Sequence, residues 1–189
     1  MPTPFVSTCA APLSVHYSDV GRVRLSATKT VAGATLAGSS NAFVVKPASL
    51  AITSIRQTAS PNTPNPGASA AGDAVFVRAG ESFSATVTAL GATGVATPNF
   101  GRETTPEGVQ LSATLVQPAG GAAGTLANAT VSGGSFASGA ATATQLHYSE
   151  VGIVTLAANL ASGSYLGAGA VSGPSREASA SIQRPTAAP

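Results

Sequence analysis

Apolar and polar positions alternate along much of the chain, and a period of two is the pattern of a strand with one buried face. The clearest stretch is Ser82–Leu90, where Phe83, Ala85, Val87 and Ala89 fall on one side and Ser84, Thr86 and Thr88 on the other. Val109–Gln117 repeats the pattern with Val109, Leu111, Ala113 and Leu115. Near the start, Val15 and Tyr17 share a side, and Val23, Leu25 and Ala27 oppose Arg22, Arg24 and Ser26. Further strands are expected over Ala42–Lys46, Leu50–Ile55, Ala74–Arg78, Ala143–Tyr148 and Gly152–Ala158. Shorter ones are expected over Thr125–Val131 and Ser135–Phe136, around the Gly133-Gly134 turn. Pro, Asn and Gly punctuate residues 57–73 too often for a strand, so that stretch reads as a loop, as does Pro118–Gly124. From Ala170 to Pro189 the periodicity fades. No segment carries a convincing helical period. Strands at short intervals with turn residues between them predict an all-β, immunoglobulin-like β-sandwich.

A twelve-residue phrase occurs twice. His16–Ala27 returns as His147–Ala158, 131 residues later, with eight of the twelve positions identical. Solenoid and propeller repeats run at about 20–50 residues, so this period belongs to a whole domain. The expected organisation is the C-terminal part of a preceding immunoglobulin-like unit over residues 1–47. A near-complete sandwich module follows over residues 48–169, and residues 170–189 form a linker or the start of a following module. Tyr-Ser-acid-Val-Gly ahead of an alternating strand reads as a corner. The ring of Tyr17 or Tyr148 would pack at the sandwich edge with its hydroxyl on backbone across the turn. Gly21 and Gly152 would supply backbone angles that other residues resist. Tyr17, Gly21, Tyr148 and Gly152 are therefore expected as structural corner residues, and His16 and His147 are expected at the rim.

Composition narrows the class. Charged residues make up 8% of the 189 and aromatics 5%, with no Trp and a net charge of +2. The nine basic residues are scattered rather than clustered, which argues against a nucleic-acid footprint. No window of about 18 apolar residues exists, so no membrane insertion is expected. The single cysteine, Cys9, is either a buried thiol or one half of a disulfide whose partner lies elsewhere. The chain has the sparse charge of an exported surface protein, with its export signal expected outside this stretch.

Four strings in the same order carry a family resemblance. Asn41-Ala42-Phe43-Val44-Val45-Lys46-Pro47-Ala48 resembles an "FVVxP" hinge that opens a domain, and Ala79-Gly80-Glu81-Ser82-Phe83 resembles an "AGxxF" strand entry. Thr97-Pro98-Asn99-Phe100-Gly101-Arg102-Glu103 resembles a "TPNFGxE" segment, and Tyr148-Ser149-Glu150-Val151-Gly152 a "YSEVG" corner. Together they resemble the MshQ-like proteins, large exported proteins linked to biogenesis of the mannose-sensitive haemagglutinin type IV pilus, whose C-terminal part is a domain of unknown function. The resemblance covers roughly Phe43 to Gly169. At its end, Ser172-Gly173-Pro174-Ser175-Arg176 departs from the "GRF-P" string that opens the family's following module. The resemblance implies a Gram-negative outer-surface location and no established catalytic residues.

Little in the sequence points to catalysis. Among the seven acids only Glu103 and Glu107 lie close together, and they share one loop rather than facing strands. No Gly-x-Ser-x-Gly elbow is present. No enzyme activity, cofactor or metal is expected, although Asp73 with Glu81, or Asn99 with Glu103, offers oxygens of the kind that hold calcium. The best candidate contact loop is Asn99, Phe100, Arg102 and Glu103. Phe100 is either an exposed aromatic beside opposite charges or a plug in the sandwich end with Arg102 paired to Glu103, and the plug is the preferred reading. The expected function is a spacer or assembly module whose partners are neighbouring modules of the same chain, with pilus components or surface glycans as further partners. The alternative is a carbohydrate- or receptor-binding adhesin module, for which Phe5, Phe100 and Tyr165 are the only spare aromatics.

Overall fold

The alternation in Ser82–Leu90 becomes the centre of a sandwich: Phe83, Ala85, Val87 and Ala89 are each at most 1% exposed. The computed structural model describes residues 12–174 and 180–183. Phe5, Cys9, Ser175 and Arg176 lie outside the described residues. In chain order the first strands are β1 (Gly21–Val23), β2 (Ser26–Val31), β3 (Ala34–Ser39) and β4 (Phe43–Val45). The next are β5 (Ser49–Gln57), β6 (Val77–Arg78), β7 (Phe83–Leu90), β8 (Val109–Gln117) and β9 (Leu126–Ala127). The last are β10 (Thr130–Val131), β11 (Ala140–Tyr148), β12 (Gly152–Leu160), β13 (Ser172–Pro174) and β14 (Ala180–Gln183). Short 3-10 turns occupy Gly133–Ser135 and Tyr165–Gly167.

Two layers form the sandwich. One runs β5-β7-β11-β9, and its pairs are antiparallel. The other runs β10-β8-β12-β14-β6, with β13 also on β12, and is antiparallel except for the β14–β6 pair. The all-β sandwich expected from the alternation is thus the fold. Two bulges tune which side chains face the core. On β11 the register shifts between Ala143 and Leu146, which carries Leu146 and Tyr148 to the same face as Ala141 and Ala143. On β12 a shift between Ile153 and Val154 buries both neighbours. Many core positions are alanine, such as Ala85, Ala89, Ala141 and Ala158. Each contributes little apolar area, at about 25 cal/mol per Å², so the layers are held by the few large groups among them: Phe76, Phe83, Leu50, Ile52, Leu146 and Tyr148.

Several local expectations are corrected. The region after Ala170, read as losing periodicity, supplies β13 and β14, and both pair with β12. They have three and four residues, too few for an alternation to register. Ser135–Phe136 is not a strand, because Gly133–Ser135 turns the chain and Phe136 dives into the core. Only Val77–Arg78 of the expected Ala74–Arg78 strand pairs. The β2–β3 hairpin was not foreseen. Its loop is Ala32-Gly33, with φ of +49° and +84° as a two-residue primed turn requires, and every residue of both strands is exposed.

The two copies of the repeated phrase have the same backbone design. Gly21 opens β1 at φ +134° and Gly152 opens β12 at φ +144°. Gly21 pairs with Val45 as Gly152 pairs with Ile182. Ala27 pairs with Gly38 as Ala158 pairs with Gly173. Their surroundings differ. Tyr148 is 1% exposed and accepts a 2.7 Å hydrogen bond from the Gly124 backbone N–H, whereas Tyr17 is 44% exposed.

Candidate functional site

The contact loop sits at one pole of the sandwich, beside the start of β8 and the end of β12. Its framework is a pair of turns. Thr97, the one buried polar residue among those described, donates both its N–H and its hydroxyl to the Ala89 carbonyl, at 2.9 and 3.1 Å. Phe100 N–H then bonds the Thr97 carbonyl at 3.0 Å, and Arg102 N–H the Asn99 carbonyl at 3.1 Å. Gly101 has φ +82°, and a Cβ there would lie 2.6 Å from the Gly133 carbonyl and from Phe136 Cβ. Only glycine lets the loop press this closely on the Gly133–Ser135 turn.

Phe100 is fully buried. It meets Phe136 edge-on at 4.8 Å and 77°, and stacks on Tyr165 at 5.8 Å and 17°. It is the plug of the preferred reading. The ion pair expected beside it is absent. Glu103 turns inward instead, with Oε1 accepting from the Tyr165 hydroxyl at 2.6 Å and from Gly101 N–H at 3.3 Å, and Oε2 from Glu107 N–H at 3.2 Å. Arg102 stays exposed. Burial first, and then the bond to the Glu103 carboxylate, push the Tyr165 phenol well above its ordinary range. Glu107 accepts from Ser162 N–H at 3.0 Å and from Ser162 Oγ at 2.7 Å. Both glutamates of the one close acidic pair therefore bind loops together.

The same pole receives the first copy of the corner phrase. Asp19 Oδ1 accepts from Val20 N–H at 2.8 Å and from Asn99 N–H at 3.1 Å. Val20 is 2% exposed and belongs to the sandwich core. Nearby, Pro47 is buried, Ala48 N–H bonds the Leu90 carbonyl at 2.8 Å, and Lys46 Nζ donates to the Ala170 carbonyl at 2.9 Å. Tyr17, Gly21, Arg22, Asn99, Arg102, Glu103 and Tyr165 all line one groove of about 540 Å³. Corner and contact loop, read separately in the sequence, form one joint. The second copy lies at the other pole: Ile153 pairs with Gln117 at one end of β8, and Leu160 with Val109 at the other. There Gly152 and Tyr148 sit under an exposed Glu150.

Of the residues considered for calcium, Asp73, Glu81 and Glu103 make other contacts. Asp73 closes its own turn by accepting from Ser69 and Ala70 N–H at 2.6 and 2.8 Å, which holds its carboxyl below the ordinary carboxylate range. Glu81 pairs with Arg78 at 3.3 Å. Among the described residues no group of three or more His, Cys, Asp or Glu could hold a metal, and no helix is long and apolar enough to cross a membrane.

Residues 46–147, more than half of the chain, match the family described as DUF6701, second domain. The chain belongs to the DUF6701 family. The DUF6701 match opens at Lys46 in the joint and takes in the whole contact loop, and it ends one residue before Tyr148. Residues that precede Lys46, together with β12, β13 and β14, lie beyond the DUF6701 match. No curated protein and no solved structure matches the chain.

Proposed function

We propose that this DUF6701 chain is a spacer and assembly element of an exported cell-surface protein of the MshQ-like kind, serving type IV pilus biogenesis or adhesion of the mannose-sensitive haemagglutinin type. One observation carries the reading. Asp19 and Val20 of the first corner are docked on the contact loop at one pole, while their counterparts Glu150 and Val151 stand at the opposite pole. A unit with a socket at one end and a copy of the matching plug at the other is built to repeat end to end. The order of the four MshQ-like strings supports the pilus assignment. Of the three aromatics open to the carbohydrate-binding alternative, Phe100 and Tyr165 are fully buried and Phe5 lies outside the described residues, so the site does not favour it.

The test is an in-frame deletion of the encoding gene in a bacterium that carries it, combined with antibody labelling of intact cells. The expected result is labelling without permeabilisation, and loss of surface pili or of pilus-dependent attachment in the deletion strain. Labelling that requires permeabilisation, with pili and attachment unchanged, overturns the proposal.

A further inference from the structure

The leading segment, residues 12–45, has an apolar face with nothing described against it. Val15, Tyr17 and Leu25 are 52%, 44% and 41% exposed, and Phe43 lies beside them along a groove of about 700 Å³. Shifted by the repeat, these positions become Leu146, Tyr148 and Leu156, which are 0%, 1% and 3% exposed. The sequence keeps core-type residues at positions that nothing covers among the described residues.

Two glycines say what is missing. A Cβ on Gly173 would lie 1.6 Å from the Leu50 carbonyl of β5, and one on Gly152 would lie 2.3 Å from the Gln117 carbonyl of β8. Gly173 is glycine because another backbone passes against it, and at Gly152 the same kind of close approach adds to a φ of +144°. Their counterparts by strand register, Gly38 and Gly21, have nothing within 4 Å among the described residues. Gly38 has no positive φ to explain its lack of a side chain, and it lies in a strand, where glycine is costly. The empty space over Gly38 matches the place of β5, and the space over Gly21 matches the place of β8.

We infer that the leading segment is the closing part of a second sandwich, and that its open face is an acceptor for the strand layer of a neighbouring module carrying counterparts of β5 and β8. The β8 counterpart adds as a strand along the free edge of β1 and β2, in the register that β8 takes on β12. The β5 counterpart crosses Gly38. This inference does not depend on the pilus reading, because it concerns only what covers residues 12–45.

The experiment uses the full chain and an extended form in which a second copy of residues 48–145 is joined directly to Val15. The join is in phase, because Val15 is the repeat counterpart of Leu146. Of the three tyrosines only Tyr17 is open to solvent, so acrylamide quenching of tyrosine emission reads this face. The extended form is expected to lose the Tyr17 quenching and to slow amide exchange across residues 21–31. Gly38→Val should leave the urea midpoint of the unextended chain unchanged and lower that of the extended chain, where the added β5 would meet it. Tyr17 as open as before, with exchange unchanged, overturns the inference, including when the extension stays unfolded, since the same residues fold when their own Leu146–Ile182 follow. A dimer of the unextended chain with Tyr17 shielded also overturns it, because a second copy would then be the occupant.

Discussion

Tyr165 ties together parts of the chain that nothing local connects. Its ring stacks on Phe100 and its hydroxyl bonds Glu103, 62 residues earlier. A bond to a charged acceptor contributes about 2 kcal/mol, so Tyr165→Phe should lose about that much in a urea melt while keeping the ring stack. The pH dependence has a definite sign. The phenol of the folded chain titrates above the ordinary value of about 10. Its stabilising effect is therefore complete below pH ~10 and is lost as the pH rises beyond that. Wild-type stability should fall more steeply above pH 10 than that of Tyr165→Phe, and parallel profiles from melts at stepped pH would count against the buried phenol–carboxylate bond. Gly152 and Gly21 allow a paired test. Both hold positive φ, where a side chain costs about 1–3 kcal/mol, but only Gly152 is also crowded by the Gln117 carbonyl. Gly152→Ala should lower the urea midpoint more than Gly21→Ala does, and equal losses would contradict the crowding.

At the scale of elements, legibility followed the difference between faces. β7 could be read from sequence because its inward residues are apolar and its outward ones are Ser and Thr. β2 and β3 could not, because SATKTV and ATLAGS are short and mostly small or polar, with too few large apolar residues to mark one face. β13 and β14 escaped through shortness. Their place is set by Gly173 pressing on β5 and Ile182 entering the core, which are tertiary facts. Phe100 is the plug the sequence suggests, yet the partner of Glu103 differs: Arg102 immediately precedes Glu103 in sequence, but the group that bonds it, the Tyr165 hydroxyl, arrives from another loop. The same distinction predicts dynamics. An isolated two-stranded ribbon is marginal in water, whereas β7 lies between β5 and β11. Amides of β2 and β3 should exchange with solvent by local opening and those of β7 only near global unfolding. Comparable protection in native-state exchange would mean that the hairpin is covered in the free chain.

For the whole molecule, the decisive contact joins residues 80 apart. The repeated phrase announced that a corner exists, but nothing in it signalled that Asp19, two residues ahead of β1, would cap the Asn99 N–H. A carboxylate accepting two backbone N–H groups beside a buried Val20 fixes direction as well as attachment, and Lys46 adds a second anchor across the joint. Removing the first anchor should therefore alter orientation without unfolding the sandwich. In the double substitution Asp19→Ala with Val20→Ser, small-angle scattering should show a larger radius of gyration and a broader distribution of distances. In a melt the sandwich should lose no more than the burial of one valine and one bond to a charged acceptor, about 4 kcal/mol in all. Lys46→Ala should produce a smaller expansion, since its ammonium holds a single exposed carbonyl. Scattering from the double variant that superimposes on wild type would mean that the β1–β4 segment keeps its orientation by other means, and the end-to-end joint would lose its physical basis.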